Sequence, residues 1–375
     1  MVWRHLTPAA VAVVLVGAAC AQDGGPETRT SPPMQDPDPL VYRGQLVDVL
    51  PRDAIPSIND PRFVPPHEAE RWLAGREPVV ALEHGGVARA YPAQILTRHE
   101  IVNDVVADRP VAVTYCPLCN SAVAFHREID GRVLEFGVSG KLYRSALIMY
   151  DRQTESLWTH FEGLAVQGPL TGTHLEVIPV QLLSFTQWRA DHPDGEVLSR
   201  RTGFTVEYGT NPYEYYDRLD GPYEQFFRQA VNHRLSALAR VVGVVIGSSQ
   251  IAYPYRELSH PSGAGVVRDN LAGRRIVVFW RSGVASALDT EQIARGRDVG
   301  ASGVFLAEAG GRTLTFEARN GEIVDRETGS RWSVGGRATS GPLQGERLTP
   351  LPHLDAFWFA WQAYRPDTTV YGVDA

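Results

Sequence analysis

The octapeptide DRQTESLW at residues 151–158 returns in the second half of the chain as DRETGSRW at residues 325–332. Three more blocks recur in the same order and at nearly the same spacing: AYP at 90–92 and 252–254, DVVADRPVAVTY at 104–115 against DNLAGRRIVVFW at 269–280, and GPLTG at 168–172 against GPLQG at 341–345. Self-similarity that keeps its order is typical of a duplicated structural unit. The chain is therefore predicted to contain two copies of one module.

Short runs rich in β-branched and aromatic residues predict β-strands through the first copy, because Gly, Asp or Asn turns separate them. The runs are residues 79–83, 88–91, 111–115, 122–129, 133–138, 146–150 and 157–161. Asp130-Gly131 predicts a hairpin turn, and the apolar spacing over 180–191 predicts a helix. We therefore predict an α+β, β-rich fold of two tandem homologous modules of antiparallel strands, each ending in a helix.

The predicted organisation has six parts, which follow from composition and from the repeat. Residues 1–20 are a signal peptide with a lipobox, 21–40 a flexible tether, and 41–78 a lead-in segment. Residues 79–208 are the first module. Residues 209–240 are a linker with a helix near 223–240, and 241–375 are the second module, a degenerate repeat without cysteine.

The overall composition is that of a globular protein. The chain has 375 residues, of which 43% are hydrophobic and 21% charged, so it is long enough for two domains or one large duplicated domain. Its formal net charge of −7 comes from interspersed acidic and basic residues without a Lys/Arg-rich run. This distribution argues against nucleic acid as a partner, and the sequence identifies no protein partner.

The N-terminus has the form of an export signal. Arg4 and His5 precede an apolar run at residues 9–19, which is shorter than a bilayer-spanning helix needs. The tetrapeptide GAAC at 17–20 resembles a lipobox, although Gly stands where Leu is usual. We therefore expect an extracytoplasmic protein of the cell envelope. It is either anchored to the membrane through lipidated Cys20 or secreted after cleavage beyond Ala19.

Two of the three cysteines lie close together in YCPLCN, residues 115–120, and these are Cys116 and Cys119. Such a pair can be a dithiol redox couple, part of a metal site or a structural bridge. The repeat places Arg281 opposite Cys116 and Val284 opposite Cys119. A pair present in only one copy is a candidate functional site, although loss of an old bridge would leave the same pattern.

A metal site in this chain would need ligands other than cysteine. With Cys20 at the N-terminus there is no second cysteine pair, so a four-cysteine site in one chain is excluded. Cys116 and Cys119 would then bind copper or zinc together with His99, Glu100 or His126, because thiolates with imidazole suit both metals. His160 is a weaker candidate.

Other interpretations stay open at this point. Cys116 and Cys119 could undergo thiol–disulfide exchange, or they could form a structural disulfide in a non-catalytic binding or envelope-structural protein. So short a loop would constrain the unfolded chain little. An enzyme acting through polar residues such as His99, Glu100 and Asp151 has no recognised catalytic spacing here. No nucleophile elbow, zincin motif, phosphate-binding loop or dinucleotide fingerprint occurs.

Several of these blocks together carry a family resemblance. HEIVND at 99–104, VAVTYCPLCNSAVAF at 111–125, FGVSGKLYRSALIMYDRQTESLW at 136–158, GPLTG and HPDGEVL at 192–198 resemble the domain-of-unknown-function family 3179 of exported bacterial and archaeal proteins. The resemblance extends from about residue 79 to the C-terminus. Arg144 and His160 depart from it, standing where Asn and Gln are expected. It implies a secreted protein or lipoprotein with this cysteine pair, but it supplies no reaction.

Overall fold

The computed structural model describes residues 45–227 and 229–374. The predicted signal peptide and lipobox at 1–20, with Cys20, and the tether at 21–40 lie outside these ranges. Strands far outnumber helices in the described residues, which confirms the β-rich prediction. Within those ranges no helix is long and apolar enough to cross a membrane.

The N-terminal half holds sixteen of the strands. Their bounds are β1 (Leu46–Asp48), β2 (Phe63–Val64), β3 (Pro78–His84), β4 (Val87–Pro92), β5 (Ile101–Val106), β6 (Arg109–Cys116), β7 (Ser121–His126), β8 (Glu128–Ile129), β9 (Arg132–Val133), β10 (Phe136–Tyr143), β11 (Ala146–Asp151), β12 (Leu157–Thr159), β13 (Ala165–Gln167), β14 (Val177–Ile178), β15 (Val180–Ser184) and β16 (Glu196–Leu198). Three short helices accompany them: α1 (Pro66–Ala69), α2 (Ala93–His99) and α3 (Phe185–Asp191).

The C-terminal half continues the same numbering. Its strands are β17 (Arg240–Ile246), β18 (Ser249–Pro254), β19 (Ala264–Leu271), β20 (Arg274–Arg281), β21 (Ala301–Leu306), β22 (Glu308–Ala309), β23 (Arg312–Thr313), β24 (Phe316–Arg319), β25 (Glu322–Asp325), β26 (Arg331–Trp332), β27 (Ala338–Ser340), β28 (His353–Phe357) and β29 (Thr369–Val370). Its helices are α4 (Tyr255–Leu258) and α5 (Trp358–Tyr364).

The larger sheets of the two halves have related strand orders. The N-terminal half forms sheets β15-β3-β4-β16-β2, β14-β7-β6-β5 and β1-β10-β11-β12-β13; the C-terminal half forms β28-β17-β18-β29, β19-β20-β21 and β24-β25-β26-β27. Strand pairs in these sheets are antiparallel except β4–β16 and β18–β29, which are parallel. These two pairs occupy the same position in the strand orders of the two related sheets. The division into modules at 79–208 and 241–375 stays a prediction.

Hydrogen bonds inside the repeated octapeptides are also alike. Trp158 Nε1 donates to Asp151 Oδ2 at 2.9 Å, and Trp332 Nε1 donates to Asp325 Oδ2 at 2.9 Å. All four side chains are buried. A buried carboxylate needs such donors because water cannot reach it. Asp151, considered above as a catalytic candidate, is therefore a turn-stabilising residue whose carboxylate holds a tryptophan.

Most predicted strands are observed, but the predicted helix at 180–191 is wrong in its first part. Residues Val180–Ser184 form β15 against β3, and only Phe185–Asp191 are helical. Ser184 and Gln187 form a capping box, in which Gln187 N donates to Ser184 Oγ at 3.2 Å and Ser184 N donates to Gln187 Oε1 at 3.0 Å. This cap begins the helix at residue 185. The predicted Asp130-Gly131 hairpin is confirmed as the turn between β8 and β9.

The helix predicted near 223–240 is not observed in the described part of that segment, which forms turns until β17 begins at Arg240. Two backbone carbonyls of this segment accept hydrogen bonds from the first turn of α5: Trp358 N donates to Ala239 O at 2.8 Å, and Phe359 N donates to Ala237 O at 2.9 Å. The end of this segment is thus held by long-range contacts with the start of α5. One turn of 3₁₀ helix at Tyr216–Arg218 lies upstream.

The largest hydrophobic core joins the two halves. It contains Cys116, Cys119 and Tyr216 together with Phe357 and Trp358 from the end of the chain. These side chains are buried, so the cysteine pair lies inside a core that both halves complete. The position of the pair is thus set by long-range packing as well as by its own turn.

Candidate functional site

The two cysteines lie on one tight turn between β6 and β7. Cys116 ends β6, residues Pro117–Cys119 form a single 3₁₀ turn, and Asn120 reverses the chain with φ of +50°. Proline fixes φ for the start of the turn, and asparagine tolerates the left-handed conformation better than most residues. Tyr115 OH donates to Asn120 Oδ1 at 3.2 Å and closes the turn. Both thiols are therefore held close together by local chemistry.

Both cysteines are free thiols in the structure, so the structural disulfide considered above is not formed. Cys116 is 2% exposed and Cys119 is 0% exposed. Burial raises the pKa of the Cys119 thiol well above its usual range, and its hydrogen bond with Cys116 raises that pKa further. The Cys119 thiol is therefore protonated in this state and needs a proton acceptor to react.

A chain of hydrogen bonds runs from Cys119 to His160. Cys119 Sγ lies 3.1 Å from Ser121 Oγ, and Ser121 Oγ lies 2.8 Å from His160 Nε2. On the other side of the ring, His160 Nδ1 lies 3.2 Å from Thr114 Oγ1. Ser121, His160 and Thr114 are all 0% exposed, so water does not reach the polar atoms of this chain of hydrogen bonds.

The direction of each hydrogen bond in this chain follows from Thr114. The Thr114 hydroxyl donates its single proton to Val123 O at 2.8 Å, so its oxygen accepts from His160 Nδ1–H. The opposite nitrogen of a neutral imidazole is then an acceptor, and Ser121 donates to it. The Ser121 oxygen accepts in turn from the Cys119 thiol, whose other acceptor, Cys116 O, lies farther away at 3.7 Å. This assignment, inferred from the hydrogen-bond network, aligns three groups for proton transfer from sulfur to His160.

Burial keeps His160 neutral. It lowers the pKa of the imidazole to about 3, because charging a ring that water cannot reach is unfavourable. His160 was only a weaker candidate in the sequence, and Ser121 and Thr114 were missed. The alternation of strand residues could have indicated Ser121 and Thr114. Thr114 and Cys116 share one face of β6, and Ser121 lies opposite Cys116 in register.

Glu100 lies beside the same turn. Its backbone carbonyl accepts from Tyr115 N at 2.8 Å, and its buried carboxyl accepts from Tyr213 OH at 3.3 Å. Burial raises the pKa of the Glu100 carboxyl to about 7, although the Tyr213 hydroxyl lowers it in part. A charge on Glu100 in turn contributes to the raised pKa of Cys119. The structure thus places one of the three predicted metal ligands near the cysteine pair.

The other two predicted ligands are directed elsewhere. His99 Nδ1 donates to Pro56 O at 2.7 Å, and Tyr208 OH lies 2.6 Å from His99 Nε2. His126, at the far end of β7, makes an edge-to-face contact with His84, with ring centroids 5.0 Å apart. A strand rises about 3.4 Å per residue, so His126 is roughly 17 Å along β7 from Ser121.

The predicted copper or zinc ligand set is therefore not assembled. No group of three or more His, Cys, Asp and Glu side chains that could hold a metal ion occurs in residues 45–227 and 229–374. The physical reason differs for the two histidines: both ring nitrogens of His99 are engaged with Pro56 and Tyr208, and His126 lies at the far end of β7 from the cysteine turn. What remains near the pair is one carboxyl, one hydroxyl and one imidazole.

Backbone conformations that L-residues adopt reluctantly are concentrated around the pair. Glu100 has φ of +57°, Asn120 +50°, Arg144 +50° and Ser145 +67°. Cys116 Sγ lies 4.0 Å from Ser145 O, so this strained corner touches the first thiol. Each such residue costs about 1–3 kcal/mol and persists only where surrounding contacts hold it. Strain of this kind is typical of functional sites.

Residues 211–219, which we call the strap, cross the turn from outside. Tyr216 OH donates to Leu118 O at 3.0 Å, between the two cysteines, and Tyr213 OH donates to Glu100. Tyr216 is buried, whereas Glu214, Tyr215 and Arg218 on the outer side are exposed. The strap therefore separates the cysteine turn from solvent.

The strap is fastened to the C-terminal half through the fully buried side chain of Asp217. Its Oδ2 accepts from Ser286 Oγ at 2.5 Å and pairs with Arg240 at 3.1 Å and Arg297 at 3.2 Å. A second ion pair joins Arg218 to Asp289. The two guanidinium groups and the Ser286 hydroxyl compensate the lost hydration at Oδ2, whereas the buried Oδ1 has no hydrogen-bond partner among the described residues.

Comparison with known proteins gives one match. The sequence model of a family described as "Protein of unknown function (DUF3179)" matches residues 52–368, which is most of the chain and includes the turn, the relay to His160 and the strap. No curated protein and no solved structure matches the chain.

Proposed function

The chain belongs to the DUF3179 family of proteins of unknown function, and we propose that its Cys116 and Cys119 thiols are a redox couple that closes to an intramolecular disulfide. One observation carries this proposal: two free thiols share a turn, and one of them is linked through Ser121 to a neutral imidazole. A structural cysteine pair would need no proton acceptor. A thiol that must become a thiolate does.

The oxidation removes two electrons from the cysteine pair. Cys116 reacts first with a two-electron acceptor, a peroxide or a disulfide, because Cys119 is the thiol already engaged with Ser121. Cys119 then loses its proton through Ser121 to His160, and its thiolate attacks the Cys116 sulfur. The S–S bond forms as the group on Cys116 leaves with its electron pair. Two protons and two electrons have then left the pair.

The electrostatics of the site supports this order of events. A thiolate and an imidazolium buried together are unfavourable before reaction, because burial raises the pKa of Cys119 and lowers the pKa of His160 to about 3. The proton therefore moves only when the thiolate is consumed by forming the new bond. Such a pair is inert until its first cysteine has been modified.

We infer further that the chain is duplicated and that only its first copy kept the site. The matched sheet orders and the paired Trp–Asp hydrogen bonds support this inference. Arg281, opposite Cys116, donates to Gly321 O at 2.8 Å and pairs with Glu322. The corresponding position in the second copy is thus occupied by a residue that holds two loops together.

We also propose that the protein is exported and anchored through Cys20, as its N-terminal sequence suggests. An extracytoplasmic compartment would supply oxidants to the pair. Membrane fractionation and mass analysis of the N-terminal peptide test this, with Cys20→Ala as the control. A diacylated Cys20 is expected, and an unmodified peptide that begins beyond Ala19 would show plain secretion instead.

A redox titration tests the proposed function. The full chain carrying Cys20→Ser is equilibrated in graded ratios of oxidised and reduced dithiothreitol, quenched, and its free thiols are counted by alkylation and mass analysis. A single two-electron transition between dithiol and disulfide is expected, and it should vanish in Cys116→Ser and Cys119→Ser. A pair that stays fully reduced at every ratio would refute the proposal. A disulfide that resists all ratios would favour the alternative, a non-catalytic protein with a structural bridge.

A further inference from the structure

The cysteine pair is shielded from large molecules on its outer side. The strap contacts the turn through Tyr216, whose OH donates to Leu118 O at 3.0 Å between the two cysteines. Tyr213 OH donates to the Glu100 carboxyl beside the turn at 3.3 Å. Cys116 itself is 2% exposed. A protein disulfide or a tripeptide disulfide must reach a sulfur in line with the bond that breaks. Neither can do so while the strap is in place.

The strap is held at both ends, so it does not open without breaking polar contacts. Asn211 Nδ2 donates to Thr290 O at 3.2 Å at one end. At the other end Asp217 pairs with Arg240 and Arg297, and Arg218 pairs with Asp289. Opening therefore requires a local unfolding event that exposes buried charges.

A small cavity, lined mainly by apolar atoms, touches the turn at Tyr115 and Asn120, and neither cysteine lines it. It has a volume of about 20 Å³ and is lined in part by Tyr115, Asn120, Arg240, Tyr255 and Ser286. This is enough for about one water-sized molecule. Within the described chain the Nε–H of Arg240 is buried without a hydrogen-bond partner. The space beside the turn thus suits a very small molecule that accepts hydrogen bonds.

We propose that the oxidant of the Cys116/Cys119 pair is a small neutral peroxide, of which hydrogen peroxide is the simplest, and that the strap excludes larger oxidants by size. This inference rests on the proposed redox function and names its substrate class. A neutral molecule avoids the cost of moving a charge into this buried site. Its size allows it to approach without displacing the strap.

The chemistry of this oxidation balances. The Cys116 sulfur attacks one peroxide oxygen, the S–O bond forms, the O–O bond breaks, and the leaving hydroxide takes the thiol proton to become water. The Cys119 thiolate then attacks the sulfenic sulfur of Cys116. The S–S bond forms, the S–O bond breaks, and the second hydroxide leaves as water with the proton that passed through Ser121 and His160. Two thiols and one peroxide thus give one disulfide and two waters.

A size series of oxidants tests the proposal. The reduced full chain carrying Cys20→Ser is mixed separately with hydrogen peroxide, cumene hydroperoxide and glutathione disulfide, and disulfide formation is followed by acid quench, alkylation and mass analysis. Each rate is divided by the rate of the same chain unfolded in urea, which removes differences in intrinsic reactivity. The normalised rate with hydrogen peroxide should exceed the normalised rates with cumene hydroperoxide and glutathione disulfide by about tenfold or more, because these bulky oxidants react only when the strap opens locally.

Strap variants supply the second measurement. Arg297→Ala removes contacts with Asp217 from an arginine that is 45% exposed, and Tyr216→Phe removes only the hydroxyl bonded to Leu118 O. Both should raise the rates with cumene hydroperoxide and glutathione disulfide relative to the rate with hydrogen peroxide. Arg326→Ala removes a comparable exposed ion pair, to Glu317, and should change none of the rates.

The outcomes separate this inference from the function on which it rests. Equal normalised rates for the three oxidants, or strap variants without effect on the bulky ones, would overturn the size argument while the dithiothreitol titration still shows a couple. Failure of hydrogen peroxide to close a pair that does titrate would overturn the substrate class alone. A pair that neither titrates nor reacts with any oxidant would remove the proposed function itself.

Discussion

Replacing Glu100 by glutamine should stabilise the protein at alkaline pH and leave its stability nearly unchanged at acid pH. The carboxyl of Glu100 is buried and, within the described residues, accepts a hydrogen bond from Tyr213 OH. Glutamine has almost the same shape and keeps an oxygen that can accept from Tyr213. The substitution therefore removes the ionisation of the group without removing its hydrogen bond.

The magnitude follows from the pKa of the carboxyl. Burial raises it from the ordinary 4.5 to about 7, so between these values the native protein holds a proton that the unfolded chain has lost. Wild-type stability attributable to Glu100 is therefore fully present below pH 4.5 and is lost as pH rises towards 7. Because one pKa unit is worth about 1.4 kcal/mol, the loss amounts to about 3 kcal/mol at about pH 8.

The assay is urea unfolding of wild type and Glu100→Gln at about pH 4 and about pH 8, with Glu308→Gln, an exposed strand residue, as the matched control. The difference in unfolding free energy between variant and wild type should grow by about 3 kcal/mol between the two pH values. For the control it should stay constant. A difference for Glu100→Gln that does not change with pH would refute the reasoning that the carboxyl is protonated in the native state.

Three further predictions concern other parts of the structure. Wild type should lose stability as pH falls from 6.5 towards 3, because the unfolded chain binds a proton that the buried His160 imidazole does not. The loss attributable to His160 should reach about 5 kcal/mol. His160→Gln, compared with wild type by urea unfolding at several pH values, should lack this loss. Ser121→Ala should slow disulfide closure by about a hundredfold, since proton transfer by a positioned group contributes at least that much. Rapid-quench alkylation measures the rate of closure. An unchanged rate would exclude proton transfer from Cys119 through Ser121 to His160. Trp158→Phe and Trp332→Phe should each cost about 1–3 kcal/mol by leaving a buried carboxylate short of a donor, and clearly different losses in chemical denaturation would argue against equivalent roles in two copies.

Much of the strand pattern could be predicted because β-strands and tight turns leave local signals. The Asp130-Gly131 hairpin and the strand before Cys116 needed only the alternation of residues and the turn chemistry. The run at 180–184 was assigned to a helix because a short apolar segment satisfies both periodicities. Residues 180–184 form a strand because they pair with β3, and that pairing is a long-range contact.

The candidate site was predicted in part for the same reason. The motif at 116–119 was recognisable from its spacing, but its partners come from distant segments. Tyr216 bonds to Leu118 across 98 residues, and Tyr213 bonds to Glu100 across 113. Nothing in a single sequence relates such positions. The proposed metal ligands failed in a similar way, because the orientation of a histidine depends on neighbours that the sequence does not place.

The shared core also determines when the thiols become protected during folding. Cys116 and Cys119 share a buried core with Phe357 and Trp358, which follow them by roughly 240 residues in the sequence. Contacts so distant in sequence form late, because the intervening chain must first be closed into a loop. Until α5 docks, both thiols are as open to large oxidants as those of an unfolded peptide. For the redox couple proposed above, selectivity by size would therefore be acquired only at the end of folding, and the speed of that last step would set how much protein is oxidised indiscriminately.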